Sequence, residues 1–225
     1  MEPDYSPIFT FPTAVTGDLT RDEHVERLVK ELEEQAGSVD ILVNNAGGSD
    51  ASKESWSALQ PLRWLAAYDR NVLAALRVTQ RRLPKMQQAK WGRVINISSL
   101  AAMMPPPSSP DYSACKAAMN AMTVSMAKAV ALDGVTVNAI SPGTIHSATL
   151  DARFREVAGQ RGVANEDAAW DEIERAVLPM FAQVPIGRVG QLDEIAHAVA
   201  FLASPLASYI TGVNLRIDGG LLPSL

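Results

Sequence analysis

The chain has 225 residues, 47% of them hydrophobic and 20% charged, with a formal net charge of −5. That length suits one large α/β domain, the composition excludes a disordered tail or a coiled coil, and without a basic block there is no electrostatic footprint for nucleic acid. One cysteine, Cys115, and three scattered histidines, His24, His146 and His197, provide neither an internal disulfide nor metal-ligand spacing. No metal site is expected, and a reducing cytoplasm is the expected compartment.

The first residues, MEPDYSPIFTFPTAV, have neither the basic nor the apolar region of a signal peptide. No stretch reaches the roughly 18 uninterrupted apolar residues of a membrane helix, so no membrane partner is expected. Along the chain two periodicities alternate, as in repeated βα units around a mainly parallel sheet. Residues 21–35 place Val25, Leu28, Val29 and Leu32 on one helical face, with Gly37 where a C-cap belongs. The run 39–43 reads as a strand buried on both faces. A long helix is predicted over 61–88, a strand over 93–98, a Pro/Ser-rich loop over 105–110, a helix over 112–132 and a strand over 135–140. Residues 149–158 and 167–182 carry two amphipathic helical patterns that interrupt the rhythm. A last helix follows at 192–204 and a last strand at 213–218. No repeat or linker marks a boundary, so residues 1–225 read as a single Rossmann-like domain. Residues 144–190 then form a helical substrate lid, or else a plain surface excursion.

Tyr112 and Lys116 lie four residues apart at the start of a helix, so both project from one face. A cation near a phenol favours the phenolate and makes the tyrosine a usable general acid/base. The pair alone is a weak signal, but Asn44-Asn45-Ala46-Gly47 and Ser98-Ser99 both follow predicted strands, where ligands bind in parallel sheets. Asn71 sits inside a helix, a position that disfavours Asn. Pro142-Gly143-Thr144-Ile145 follows the next strand, so all of these converge on one rim. Simpler readings stand beside these: Ser98 packs a strand end, Asn45 caps a turn, Gly47 supplies a positive φ. Met119, Met122 and Met126 serve packing, Cys115 fills space, and His146, in the lid region, either touches substrate or is a solvent-facing loop residue.

With these motifs in hand the sequence resembles the short-chain dehydrogenase/reductases, particularly bacterial members similar to 3-oxoacyl-carrier-protein reductases. The match runs in family order through DLT, NNAG, the helix Asn, GRVINISS, YSACK, VNAISPGTI, PIGRVGQLDEIAHAVAFLAS and YITGVNLRIDGG. The resemblance implies a three-layer, doubly wound parallel sheet of the Rossmann type. It also implies hydride transfer between NAD or NADP and a small carbonyl or secondary-alcohol substrate. By that resemblance Tyr112 is the acid/base, Lys116 lowers its pKa and holds the nicotinamide ribose, and Ser99 polarises the carbonyl. Asn71 positions a relay water, and Asn44, Ala46 and Gly47 run along the cofactor's middle. Asp18, at a strand end, bonds adenine, Pro142, Gly143 and Ile145 meet the nicotinamide, and Ser147 stands where the family more often has Thr. A homodimer or homotetramer is expected, paired through the helix after Tyr112.

One family feature has no match: the opening strand, Gly-rich turn, helix and second strand that cradle the pyrophosphate. The fold is therefore expected to be N-terminally truncated, and the preference between NAD and NADP is unreadable. Three explanations compete: a wrong start or truncated gene, insertion of Ile8 to Val15 into the vacated central position, or loss of cofactor binding. The last would make the chain a non-catalytic pseudo-reductase serving as an interaction or oligomer subunit.

Overall fold

The computed structural model describes residues 14–49 and 56–223. Helix α1 (Asp22–Ala36) ends on Gly37, whose φ of 75° is one that L side chains rarely adopt. Strand β1 (Ile41–Asn44) follows. The long predicted helix is three pieces of one path: α2 (Pro61–Tyr68), a wide π-type turn at Asp69–Leu73, and α3 (Ala74–Ala89). Pro61 occupies the first helical turn, where a missing N–H costs nothing, and Lys90 closes the path in the left-handed region at φ 54°. The turn is widest around Asn71, whose side-chain amide donates to the Ala67 carbonyl and so competes with the backbone ladder. Strand β2 (Gly92–Ile97), helix α4 (Pro110–Val130) and strand β3 (Val135–Pro142) then complete one βαβ unit.

Helices α5 (Ala148–Arg161) and α6 (Trp170–Phe181) occupy the two amphipathic patterns, and α7 (Leu192–Ala203) and β4 (Asn214–Ile217) end the described fold. The four strands are all parallel, in the order β1-β2-β3-β4. Alternation along β2 sends Val94 and Ile95 to opposite faces. Val94 joins Met86, Ala127, Val130, Val135 and Val137 beneath α3 and α4. Ile95 joins Ile140, Leu202 and Ala207 beneath α7. The result is the three-layer α/β sandwich, helices on both faces of a parallel sheet, that the alternating periodicity predicts.

Two expectations fail. Ile41 and Val43 are exposed rather than buried, because β1 is the edge strand among the described residues. No strand leads into Asp18: residues 14–18 are irregular, and Asp18 Oδ1 instead accepts from the Thr20 amide and hydroxyl, forming the turn into α1. Most of the segment Ile8 to Val15 lies outside the described residues, while Ala14 and Val15 form no strand. Among the described residues no helix is long and apolar enough to cross a membrane.

The turn between α4 and β3 has little tolerance. Gly134 has φ 73°, and a Cβ there would overlap the Lys90 carbonyl oxygen. Gly134→Ala is expected to cost about 2 kcal/mol or more, read as a lower midpoint in denaturant with an unaltered slope.

Candidate active site

The parallel sheet delivers two strand ends, those of β2 and β3, to one rim. Ser98 and Ser99 leave β2 there. Ser98 is buried and its hydroxyl donates to the Lys116 carbonyl, fastening the strand end to α4 as the packing reading supposed. The Ser99 hydroxyl accepts from the Ala101 amide at 3.1 Å, which leaves its own proton free to point elsewhere, and it shares the cleft wall with Tyr112.

Helix α4 begins with Pro110 in its first turn, so Tyr112 and Lys116 fall on the first two turns of the face towards that rim. Their environments differ. Burial pushes the Tyr112 phenol above its usual value, with the Ser99 hydroxyl opposing that rise in part. Lys116 is 4% exposed, and burial takes its ammonium down to about 8. Its Nζ donates to the Ile97 carbonyl at 2.7 Å and lies 5.6 Å from the centre of the Tyr112 ring. The cation sits under the ring and is tied to a strand end, and burial of the phenol outweighs the lowering that spacing alone predicts, so the net shift of Tyr112 is upward. The same burial leaves Cys115 inert: its thiol is pushed up and packs with Ala67 and Val72.

A cleft of about 1100 Å³ opens between these groups and the loop after β3. Ser99, Tyr112, Pro142, Gly143, Ile145 and Ser147 all line it, so six of the expected site residues come together. Gly143 allows a close backbone crossing, since a Cβ there would lie 2.8 Å from Asp218 Cα. Ser147 caps α5, its hydroxyl accepting from the Leu150 amide. Thr144, part of the motif after β3, and Leu150 also line the cleft; nothing in the residue type of Leu150 marks it in the sequence.

The remaining expected residues act differently. Asn71 is fully buried; its side chain accepts from the Gly48 amide and donates to the Gly48 and Ala67 carbonyls, all at 3.0 Å. It pins the loop after β1, where Gly47 at φ 146° leaves no room for a Cβ against Asn71 Oδ1. Asn44 turns its amide inward, donating to Thr79 Oγ1 and Asn96 Oδ1, so its side chain is not on the rim. Ala46 and Gly47 are exposed on the loop that Asn71 holds. Asp18 is not among the described cleft residues. Asn96, which the motif reading passed over, had a signal: an amide within an otherwise apolar buried strand needs a partner.

His146 is not the solvent-facing residue expected. Its ring stacks on Trp170 with centroids 3.9 Å apart, and Nε2 lies 3.2 Å from Asp151 Oδ2. Asp151 in turn accepts from Arg155 Nε at 2.6 Å. This network ties the loop after β3 to both α5 and α6.

A family model described as enoyl-(acyl carrier protein) reductase matches residues 9–222. Nodulation protein G of Azospirillum brasilense is 37% identical over 205 residues, 91% of this chain and 75% of that protein. A 3-oxoacyl-[acyl-carrier-protein] reductase of Vibrio cholerae is 36% identical over 204 residues, again 91% and 75%. A 3alpha-hydroxysteroid dehydrogenase of Mediterraneibacter gnavus is 34% identical over 195 residues, 87% of this chain and 70% of that one.

The depressed Lys116 value has a measurable consequence. The folded chain releases this proton near pH 8, whereas the unfolded chain holds it beyond pH 10, so between these limits the unfolded state binds more protons and stability rises with pH. Below pH 8 the buried ammonium is a net cost of about 3 kcal/mol. The stability of wild type relative to Lys116→Met is expected to improve by up to that amount from pH 7 to pH 10; a gap independent of pH would refute the buried-cation assignment.

Proposed function

We propose a function from one premise: the chain belongs to the short-chain dehydrogenase/reductase family. It acts as an oxidoreductase that interconverts a carbonyl compound and the corresponding secondary alcohol at the expense of a nicotinamide cofactor. The observation that carries this reading is that Ser99 and Tyr112 line one cleft wall with the Lys116 ammonium beneath the Tyr112 ring.

The two hydroxyls are the polar pair that a substrate oxygen would meet. Ser99, oriented by the Ala101 amide, donates one hydrogen bond and polarises the carbonyl. Tyr112 gives the proton that the oxygen needs as it becomes an alkoxide, and its raised pKa keeps it a neutral, proton-bearing phenol at neutral pH. Lys116, still largely protonated at pH 7, holds the positive charge that favours the phenolate left behind. The Asn71 side chain is taken up by Gly48 and Ala67, so its part is to hold the loop after β1.

The residues present fit the reacting half of a nicotinamide cofactor. The Gly143 crossing and the Pro142 to Ile145 loop offer a close approach, and Tyr112 on the cleft wall supplies a donor for a ribose hydroxyl. When bound, the cofactor supplies or accepts the hydride. The α5–α6 segment serves as the substrate lid, and the names of the relatives, an acyl-carrier-protein reductase and a steroid dehydrogenase, support a substrate among carbonyl compounds or secondary alcohols.

A second reading, a non-catalytic interaction subunit, draws on the exposed apolar edge of β1 at Ile41 and Val43. The two separate cleanly. Tyr112→Phe is expected to lower NAD(P)H-dependent carbonyl reduction on the order of 100- to 10,000-fold while the cofactor still raises the melting temperature. Reduction at the wild-type rate in the variant would defeat the catalytic assignment. A cooperative melt that neither NADH nor NADPH shifts would favour the second reading.

A further inference from the structure

The cleft is mostly apolar, and its described lining carries one formal charge, Arg153. Arg153 lies on α5 one turn beyond Thr149, which faces the same cleft. Its guanidinium carbon sits 5.0 Å from the centre of the Phe181 ring, and Phe181 stacks on Phe154, which is fully buried between α5 and α6. The cation is thus held by a ring anchored in the α5–α6 core.

Among the described residues no carboxylate pairs with Arg153. Asp151 is taken by Arg155 and His146, and Glu156 by Gln160. An aromatic face orients a guanidinium without neutralising it and leaves the N–H fork open to a planar oxyanion. A cation that no described carboxylate neutralises, in a cleft whose other described lining is uncharged, favours ligands with a negative group and gives neutral analogues nothing in exchange.

We propose that Arg153 is a specificity-determining residue that pairs with an anionic group, a carboxylate or a phosphate, carried by the carbonyl substrate. The proposal rests on the carbonyl-reductase reading and narrows its substrate class. Tyr112 and Ser99 take the reacting oxygen while Arg153 takes the charge, so the ligand is held at two points.

The test uses the full chain with three ketones: acetoacetate, its methyl ester, and the acetoacetyl thioester of 4′-phosphopantetheine. The two anions place a carboxylate and a phosphate at different distances from the ketone, so they separate the sources of charge. Melting shifts and NAD(P)H-dependent reduction are measured in parallel. In Arg153→Gln the kcat/KM ratio of one anion over the ester is expected to fall on the order of 10- to 100-fold, mainly through KM. Arg153→Lys should be intermediate, because an ammonium keeps the charge and loses the fork. Arg153 is exposed, so the exchange leaves no buried vacancy. An unaltered ratio in Arg153→Gln, or a loss confined to NADH and NADPH binding, overturns the proposal. Reduction of the ester by wild type, abolished by Tyr112→Phe, keeps the reductase reading in place whichever way the ratio moves. If none of the three is reduced, that reading fails and melting shifts alone decide Arg153: an anion-specific shift lost in Arg153→Gln supports it, and no such shift overturns it.

Discussion

A buried chain of side-chain amides and hydroxyls crosses the sheet from β1 to α4, and the placement of Tyr112 and Lys116 on α4 depends on it. Asn44 on β1 donates to Asn96 on β2 at 2.8 Å and to Thr79 on α3 at 3.0 Å; Asn96 donates to Thr123 on α4 at 2.8 Å, and Thr123 to the Met119 carbonyl. An amide buried without partners costs on the order of 1–3 kcal/mol, so a shift of β1 against β2, or of α4 along the sheet, would orphan several polar groups together. Asn44 and Asn96 are direct partners in the parallel register, and a slip of one residue would send them to opposite faces. The network therefore fixes the register of two strands and the height of α4 at once.

Fixing α4 fixes the chemistry. Its first two turns hold Tyr112 and Lys116 against the end of β2, where the Ser98 bond to the Lys116 carbonyl and the Lys116 bond to the Ile97 carbonyl close the joint from both sides. The cost is the burial of an ammonium, visible in its fall to about 8. That cost is tolerable because the sheet and its helices are stabilised elsewhere, by the two apolar layers on either face. A charge held in a dry place acts on a neighbouring phenolate more strongly than one in water. The structure thus accepts a local destabilisation where a charge is to develop.

Much of this was legible in the sequence because it depends on local rules. The glycines at 37 and 134 occupy the left-handed positions that the helix ends required, and the alternation of strands and helices was sufficient for the three-layer sheet. Tyr112, Ser99 and the loop from Pro142 to Ile145 arrive at one cleft because parallel strands deliver their ends to the same rim. What could not be read was set by tertiary partners. Whether Val43 is buried depends on which strand lies beside it, not on its own hydrophobicity. Asn44 and Asn71 were recognisable as unusual positions, yet nothing local says that one amide turns into the sheet and the other clasps Gly48. His146 was misread for the same reason, since its stacking partner Trp170 lies far along the chain.

The helical segment between β3 and α7 follows a different physical logic from the sheet. Phe154, Ala158, Ile173, Val177, Leu178 and Val189 form a core of their own, distinct from the layers on the sheet faces. The segment closes on itself at its base, by the Ile145–Gly190 bridge, the Thr144 and His146 backbone bonds to Gly190 and the His146 stack on Trp170, and the Gly143 and Ile186 amides join it to the sheet by donating to the Ile217 and Gly219 carbonyls. Side chains on the cleft side of α5 can therefore change without disturbing the amide chain that holds Tyr112, because substitutions at sites with no shared partners add independently. The two parts of the cleft wall are thus held separately in the fold: α4 and the strand ends carry Tyr112 and Ser99, and α5 presents Thr149, Leu150 and Arg153.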